Sequence, residues 1–396
     1  MTNYLIVGNG AAGTTAVEKI RNQDKTGKIV MVTEESLPYY SRIRLPEFMA
    51  GEIDEKQLII KKDSWYRDLS IDLVLDTRMV AADKKAKVLM AGNNRQFPYD
   101  TLLVATGSHS FLPPIQGVKK NGVFSLRNIS DARQIKAHAE TINDVVLIGG
   151  GLLGLESGNA LRKMGKKVTI VEFFPRLLPR QLDVPGAEML QAQMEDMGFS
   201  FRLDAKTSEF TGTDAVDGVL LEDGELLPCG MVIVSAGVRP NMELAQLMDL
   251  DADKGIKVDD QMKTSAPDVY AAGDVAQFND LPPYGIWPAA TEQGEIAGSN
   301  MAGTAAVYKG TTMSNKLKVI GIDLASAGNI DAEDQMENKT RIEKDVYKKI
   351  IFNGNKIAGC IMLGDTSGFN RIVKAMSEQT NISSVKEDIL SDGFEF

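Results

Sequence analysis

Cysteine and histidine are scarce in this 396-residue chain, with two of each. Cys229 and Cys360 stand 131 positions apart with no C-x-x-C spacing. A disulfide framework and a thiolate metal cluster are thereby excluded, and a reducing cytoplasm is the expected compartment. His109 follows a small-residue loop and His138 is expected to face outward on a charged helix. Neither reads as a catalytic base or a metal ligand. No apolar run approaches the roughly 18 residues that a membrane span needs. No basic stretch precedes the first apolar strand, so neither a membrane anchor nor a signal peptide is expected. Positive charge is also short: 44 Lys and Arg against 54 Asp and Glu leave a net charge of −10, which disfavours nucleic acid and anionic membranes as partners. A hydrophobic content of 43% and a charged content of 25% exclude disorder, and the length points to two or three domains.

Glycine, by contrast, is abundant and patterned. The stretch "YLIVGNGAAG" runs from an apolar strand into Gly8, Gly10 and Gly13, and "TTAVEKIRN" continues at helical spacing. A second strand, "KIVMVTEE", then carries Glu34, 21 residues after Gly13. Each residue type has a physical task in binding a dinucleotide. The first glycine makes the tight turn, the second lets backbone amides reach a pyrophosphate, the third lets helix and strand pack closely, and the acid accepts from ribose hydroxyls. The same logic recurs 141 residues later in "LIGGGLLGLESGNALRKMGKKVTIVE", with Gly149, Gly151, Gly154 and, 18 residues on, Glu172. An acid at the end of this second strand favours NADH over NADPH, because it chelates the ribose diol and repels a 2′-phosphate. Arg176 and Arg180, just downstream, work against a strict preference.

Three further segments, "YDTLLVATGS" (99–108), "VIVSAGVRPN" (232–241) and "TSAPDVYAAGDVAQF" (264–278), complete a recognisable frame. Over residues 1 to about 310 the chain resembles the pyridine nucleotide–disulfide oxidoreductase class. That resemblance implies an α/β fold with two Rossmann-like dinucleotide-binding domains, arranged as in glutathione reductase. The first would bind FAD and the second NADH. It places Gly8, Gly10, Ala12, Gly13, Glu34, Arg42, Val80, Ala105, Thr106, Gly107, Arg127, Gly273, Asp274 and Gln293, with Gly149, Gly151, Leu153, Gly154, Glu172 and Gly237, at the two cofactors. Asp274 is expected on the ribityl chain of FAD, though a plain strand-to-helix cap is the alternative. Gln293 and Gly294 match a helix aimed at the flavin's pyrimidine edge. Trp287 reads equally as a flavin cover or a core residue. Glu156, on the first helical turn beyond Gly154, is the catalytic candidate, orienting the carboxamide or the flavin, with a helix-dipole acid as the alternative.

The implied domains are 1–112 with 243–310 for FAD, 113–242 for NAD(H), and 311–396 as a small α+β interface domain. In the last of these, "KLKVIGIDLASAG", "DVYKKIIFNG" and "KIAGCIMLG" predict antiparallel strands and "TSGFNRIVKAMSEQT" a helix. Whether this unit pairs two copies of the chain or covers itself stays open.

What the class usually has and this chain lacks narrows the chemistry. The loop "LPYYSRIRLPEFMAG" (37–51) carries no redox cysteine, and the class's C-terminal His–Glu pair is missing, so disulfide reduction is excluded. Electrons must leave the flavin for an outside acceptor. "LPYY" with "RIRL", "LIIKKDSWY" (58–66) and "PRQLD" (179–183) are similar to NADH:rubredoxin oxidoreductases of anaerobic bacteria. This implies a small, acidic, iron-containing acceptor such as rubredoxin, with Lys61, Lys62 and Arg67 as docking candidates. Arg42 and Arg44 would touch FAD phosphates or face that partner. Oxygenase-linked ferredoxin reductases usually place a lysine where Glu47 aligns, opposite the residue matching Glu156; here two acids would meet. "YYSRIRL" is also like the flavin module of assimilatory nitrite reductases. Direct reduction of oxygen, or a non-turnover flavoprotein that senses NADH and binds a partner, are the competing readings.

Overall fold

A computed structural model describes residues 1–331 and 334–391, with the backbone alone for 315–319. The chain divides into two units: residues 1–44, 53–109 and 238–311 form the first, and 45–52, 110–237 and 312–396 the second.

The first unit is built on a five-stranded parallel sheet in the order Val269–Ala271, Thr101–Val104, Asn3–Val7, Lys28–Val32, Ile71–Val74. Its strands are near-continuous runs of Val, Ile and Leu, as expected where both sheet faces are covered. Val7 is in register with Val32 on one side and Val104 on the other, and Val104 with Ala271. The carboxyl ends of four strands therefore share one edge, the edge at which open α/β sheets bind ligands. The helix Ala11–Gln23 packs on the helix Trp287–Met301 at very short range. A Cβ on Gly294 would come within 2.4 Å of Ala12 O, and one on Gly298 within 2.5 Å of Ala16 O. A three-stranded antiparallel sheet, Met79–Asp83, Val88–Ala91 and Gln96–Pro98, completes the unit.

The second unit repeats the plan with a parallel sheet ordered Ser200–Arg202, Lys167–Val171, Asp144–Ile148, Met231–Val234, Val123–Phe124. The helix Leu152–Lys163 follows the second glycine turn, and Thr207–Thr211, Gly218–Leu221 and Leu226–Pro228 form the matching antiparallel sheet. The C-terminal part is a five-stranded antiparallel sheet with order Ser314–Val319, Ile322–Gly328, Lys356–Leu363, Tyr347–Asn353, Asn338–Ile342. Helix Phe369–Ser377 lays Phe369, Ile372, Ala375 and Met376 on it, against Ile350, Phe352 and Cys360. The α/β class and the small antiparallel C-terminal part thus agree with the sequence-based expectation. The edge strand Asn338–Ile342 had no sequence signal because "NKTRI" is polar and edge strands need no apolar face.

Residues 45–52 depart from the expected assignment to the first unit. The short helix Leu45–Met49 buries Leu45 and Met49, and Lys136 donates to Phe48 O at 3.1 Å while its ammonium sits 4.8 Å from the Phe48 ring. The apolar side chains of this loop are thereby matched by the helix Ile129–Ala139, a partner more than 80 residues away in sequence that local pattern does not reveal. No described helix is long and apolar enough to cross a membrane.

Candidate functional site

In the first unit the glycine turn forms a cradle at the sheet's carboxyl edge. Gly8 has φ +122, and a Cβ there would strike Ala105 O at 2.0 Å; one on Gly13 would strike Gly8 O at 2.1 Å. Nothing lies within 4 Å of the Cβ position of Gly10, which opens the helix Ala11–Gln23 with no side-chain cap. The packed glycines bring the backbone together, and the open one leaves room beside an uncapped helix start, the kind of place that suits an anionic diphosphate. Gly273 (φ +83) approaches Ala12, and its amide donates to Gln293 Oε1 at 2.8 Å, with Gln293 only 1% exposed. Ser108 Oγ donates to Asp274 Oδ2 at 2.7 Å. Gly8, Ala12, Gly13, Ala105, Gly273 and Gln293 are thus gathered into one site.

Thr106 and Gly107 are held from a direction the sequence reading missed. Asn241 Nδ2 donates to Thr106 O at 2.7 Å, Thr106 Oγ1 donates to Asn241 O at 3.1 Å, and Asn241 N donates to Gly107 O at 2.9 Å. His109 Nδ1 meets Asn241 Oδ1 at 2.7 Å. One asparagine therefore ties together the two chain crossings that leave and re-enter this unit. Its position after "GVRP" was the available signal. Glu34 is exposed at the end of its strand, 4.0 Å from Arg78, and Val80 is 50% exposed on the neighbouring small sheet. Arg42 pairs with Glu35, whose other oxygen accepts from the Tyr40 hydroxyl. Trp287 is 46% exposed, which removes the core reading for it.

The second unit carries the second cradle. Gly149 (φ +108) would place a Cβ 2.3 Å from Ser235 O, Gly154 one 2.4 Å from Gly149 O, and Gly151 again faces open space at an uncapped helix start. Glu172 is 6% exposed. Its Oε2 accepts from the Gly150 amide and its Oε1 from the Phe174 amide at 2.9 Å. The acid is therefore tied to the glycine loop by backbone amides. Leu153 is 40% exposed at the helix start, and Gly237 (φ +92) has open space at its Cβ position. Arg127 lies in this second unit, where its amide donates to Asp131 at 2.8 Å.

Glu156 is half-buried, and its Oε1 accepts from Ile320 N at 2.7 Å. Burial raises its pKa above the ordinary value. The Ile320 amide and Lys163 oppose the rise, and Glu47 and Glu52 add to it.

One surface expectation is corrected, and one docking candidate has neighbours of its own. His138 does not face outward: its Nε2 meets Gly230 O at 2.9 Å and its ring lies 5.3 Å from that of Phe124. Lys61 is engaged, donating to Glu18 at 2.6 Å and lying 4.6 Å from the Trp65 ring, whereas Lys62 and Arg67 are exposed. In both cases a partner distant in sequence uses a side chain that local charge pattern assigns to solvent. The two cysteines are buried, and burial pushes their thiols up to about 11 for Cys229 and about 12 for Cys360. Among the described residues no cluster of three or more His, Cys, Asp or Glu is arranged to hold a metal.

Comparison with known proteins agrees with this architecture. The model of the pyridine nucleotide-disulphide oxidoreductases matches residues 2–294, and that of the rubredoxin NAD+ reductase C-terminal domain matches 314–380. The chain is 34% identical to a nitrite reductase [NAD(P)H] of Bacillus subtilis, over 97% of this chain and 48% of that one. It is 32% identical to an NADH oxidase of Methanocaldococcus jannaschii, over 93% and 89%. Among solved structures, NADH:rubredoxin oxidoreductase from Clostridium acetobutylicum superimposes with a TM-score of 0.81 at 29% identity, covering 96% of each chain. Several curated relatives are much longer, and the chain spans about half their length or less. The match over the paired glycine cradles and nearly three quarters of the sequence means that the chain belongs to the pyridine nucleotide-disulphide oxidoreductase family.

Proposed function

We propose that this protein is an FAD-dependent NADH oxidoreductase that passes electrons to a small acidic iron protein, most simply rubredoxin. The observation that carries this is the pair of glycine cradles, one in each unit, in a chain whose only thiols are buried and remote from both glycine turns in sequence. Two dinucleotides would be held, and no cysteine in residues 37–51 would relay electrons between a flavin and a disulfide. The similarity to a rubredoxin reductase along the full chain supports the acceptor.

When bound, FAD supplies a ring that takes a hydride from a nicotinamide and releases electrons singly. The protein's own residues bind and orient. The uncapped start of Ala11–Gln23 offers its amides to one diphosphate and that of Leu152–Lys163 to the other. Asp274 and Gln293, fixed by Ser108 and Gly273, would hold the flavin half. The uncapped start of Trp287–Met301 would favour negative charge on a ring held near it. Glu172, pre-set by two backbone amides, would select the ribose diol of NADH over a phosphorylated ribose. Glu156 would orient the nicotinamide end. Lys62 and Arg67 remain as docking cations. In this reading residues 1–112 with 243–310 serve FAD, 113–242 serve NADH, and 311–396 form the small α+β domain, which is also where two copies would pair.

The test is anaerobic NADH oxidation by the purified protein with and without rubredoxin, repeated in air. Rubredoxin reduced many-fold faster than oxygen upholds the reading; fast turnover in air with no effect of rubredoxin overturns the acceptor. That second outcome is the direct oxidase, a reading favoured by the likeness to an NADH oxidase over most of both chains.

A further inference from the structure

The first glycine turn contains a polar side chain whose hydrogen-bonding capacity is half used. Tyr66 is 3% exposed. Its hydroxyl accepts from the Tyr39 amide at 3.0 Å and lies 2.9 Å from Asn9 Oδ1. With no other acceptor for the Tyr66 proton among the described residues, that proton goes to Asn9 Oδ1. The Asn9 amide is thus oriented by a one-way relay: Tyr39 N–H to Tyr66 O–H to Asn9 Oδ1. At its far end Asn9 Nδ2 is buried and has no partner among the described residues. Burying an amide donor without an acceptor is costly, so native proteins rarely leave one unsatisfied without a reason. The other groups lining the same small cleft do not satisfy it: the Glu35 carboxylate is taken by Tyr40 and Arg42. Asn9 stands between Gly8, packed on Ala105, and Gly10, which faces open space at the helix start.

We infer that Asn9 is a ligand of the bound flavin dinucleotide, with Nδ2 donating to a diphosphate oxygen, and that Tyr66 is the positioning residue that turns the amide toward it. This rests on the FAD reading proposed above. The backbone amides of a glycine turn bind any diphosphate; a side-chain donor with a preset direction adds an anchor supplied by residue identity. Because the relay runs from the Tyr39 amide, in the loop that follows Glu35, it also links that loop to the diphosphate.

The experiment is titration of apoprotein with FAD and, separately, with ADP, followed by flavin fluorescence and calorimetry, for wild type, Asn9→Leu, Tyr66→Phe and the double variant. A hydrogen bond to a charged group implies roughly a tenfold to hundredfold rise in Kd for FAD and for ADP in Asn9→Leu. Tyr66→Phe should show a smaller rise, and the double variant should be no weaker than Asn9→Leu, because both changes remove one relay. Asn9→Leu removes an unpaired buried donor but also the acceptor of the Tyr66 proton, so no gain in apoprotein stability is expected from it. Unchanged FAD and ADP affinity in Asn9→Leu, or additive losses in the double variant, overturn the inference. Loss for FAD with none for ADP overturns the diphosphate as acceptor. If Asn9→Leu does not fold, Tyr66→Phe decides by the same two titrations. A wild-type apoprotein that binds neither FAD nor ADP would instead overturn the FAD reading itself.

Discussion

Glu156 and Ile320, 164 positions apart, are joined by a hydrogen bond of 2.7 Å from the backbone amide at a hairpin turn to a half-buried carboxylate. The contact ties the second glycine helix to the C-terminal sheet. Burial, with Glu47 and Glu52, raises the pKa of Glu156 above its ordinary 4.5. A carboxyl raised on folding binds protons more tightly in the native state. Its contribution to stability is then present below pH 4.5 and is lost as pH rises through the folded value. Glu156→Gln, which keeps the acceptor and cannot ionise, should therefore gain stability relative to wild type between pH 4.5 and 7.5. Urea unfolding at the two pH values checks this; parallel shifts at both would contradict it.

Asp183 anchors a second long-range contact, buried more deeply. Tyr347 donates to its Oδ2 at 2.5 Å, Lys349 lies 3.2 Å away, and Gly186 N donates to Oδ1 at 3.2 Å; Lys349 is 3% exposed. Stranding one partner of a buried pair costs about 3–5 kcal/mol. Asp183→Ala takes an acceptor from Tyr347 and Gly186 but leaves Lys349 with Asp334 Oδ1 at 3.1 Å and Asp331 O at 3.2 Å, so it should lose no more than the lower end of that range. Lys349→Met should lose less, because Asp183 keeps Tyr347 and Gly186. Thermal unfolding of the two variants gives the comparison, and equal losses would show that the charge pair itself is not what matters.

In the second cradle, Glu172→Ala should lower kcat/KM for NADH by roughly tenfold to a hundredfold, the worth of hydrogen bonds to a charged group. NADPH should be affected much less, because the lost carboxylate also repelled its phosphate. Steady-state kinetics with both nucleotides measures this. A proportional loss for both would mean that Glu172 serves only to brace the Gly150 and Phe174 amides.

The two cradles should respond separately. Gly154→Ala forces a Cβ to 2.4 Å from Gly149 O, and Gly13→Ala to 2.1 Å from Gly8 O. Overpacking of this kind costs about 1–3 kcal/mol. Gly154→Ala should raise the KM for NADH while the purified protein stays yellow; Gly13→Ala should be purified with little flavin. Flavin content per chain and KM are the two readouts.

Cys229 and Cys360, with thiols near 11 and 12, should not react with a disulfide reagent at pH 8 in the native state and should both react after unfolding. Replacing both with Ala should leave NADH turnover intact. A native thiol that titrates quickly, or activity that falls with it, would reopen thiol chemistry for this protein.

Whatever depends on short-range geometry was legible in the order of the residues. A strand that must turn tightly into a helix against another backbone needs glycine at 8, 13, 149 and 154, and an acid must then close the next strand. These requirements span about 25 residues or fewer, so they are written in spacing. The absence of a thiol in residues 37–51 was equally legible, because composition needs no fold. Which partner each polar side chain meets was set by the folded chain. Asn241 clasps Thr106, Glu156 accepts from Ile320, Lys61 turns to Glu18, His138 tucks against Gly230, and Asn9 is left with a donor unspent. For all but the last these partners lie roughly 40 to 160 positions away, and a polar group's choice between water and a neighbour is settled by what folding brings beside it.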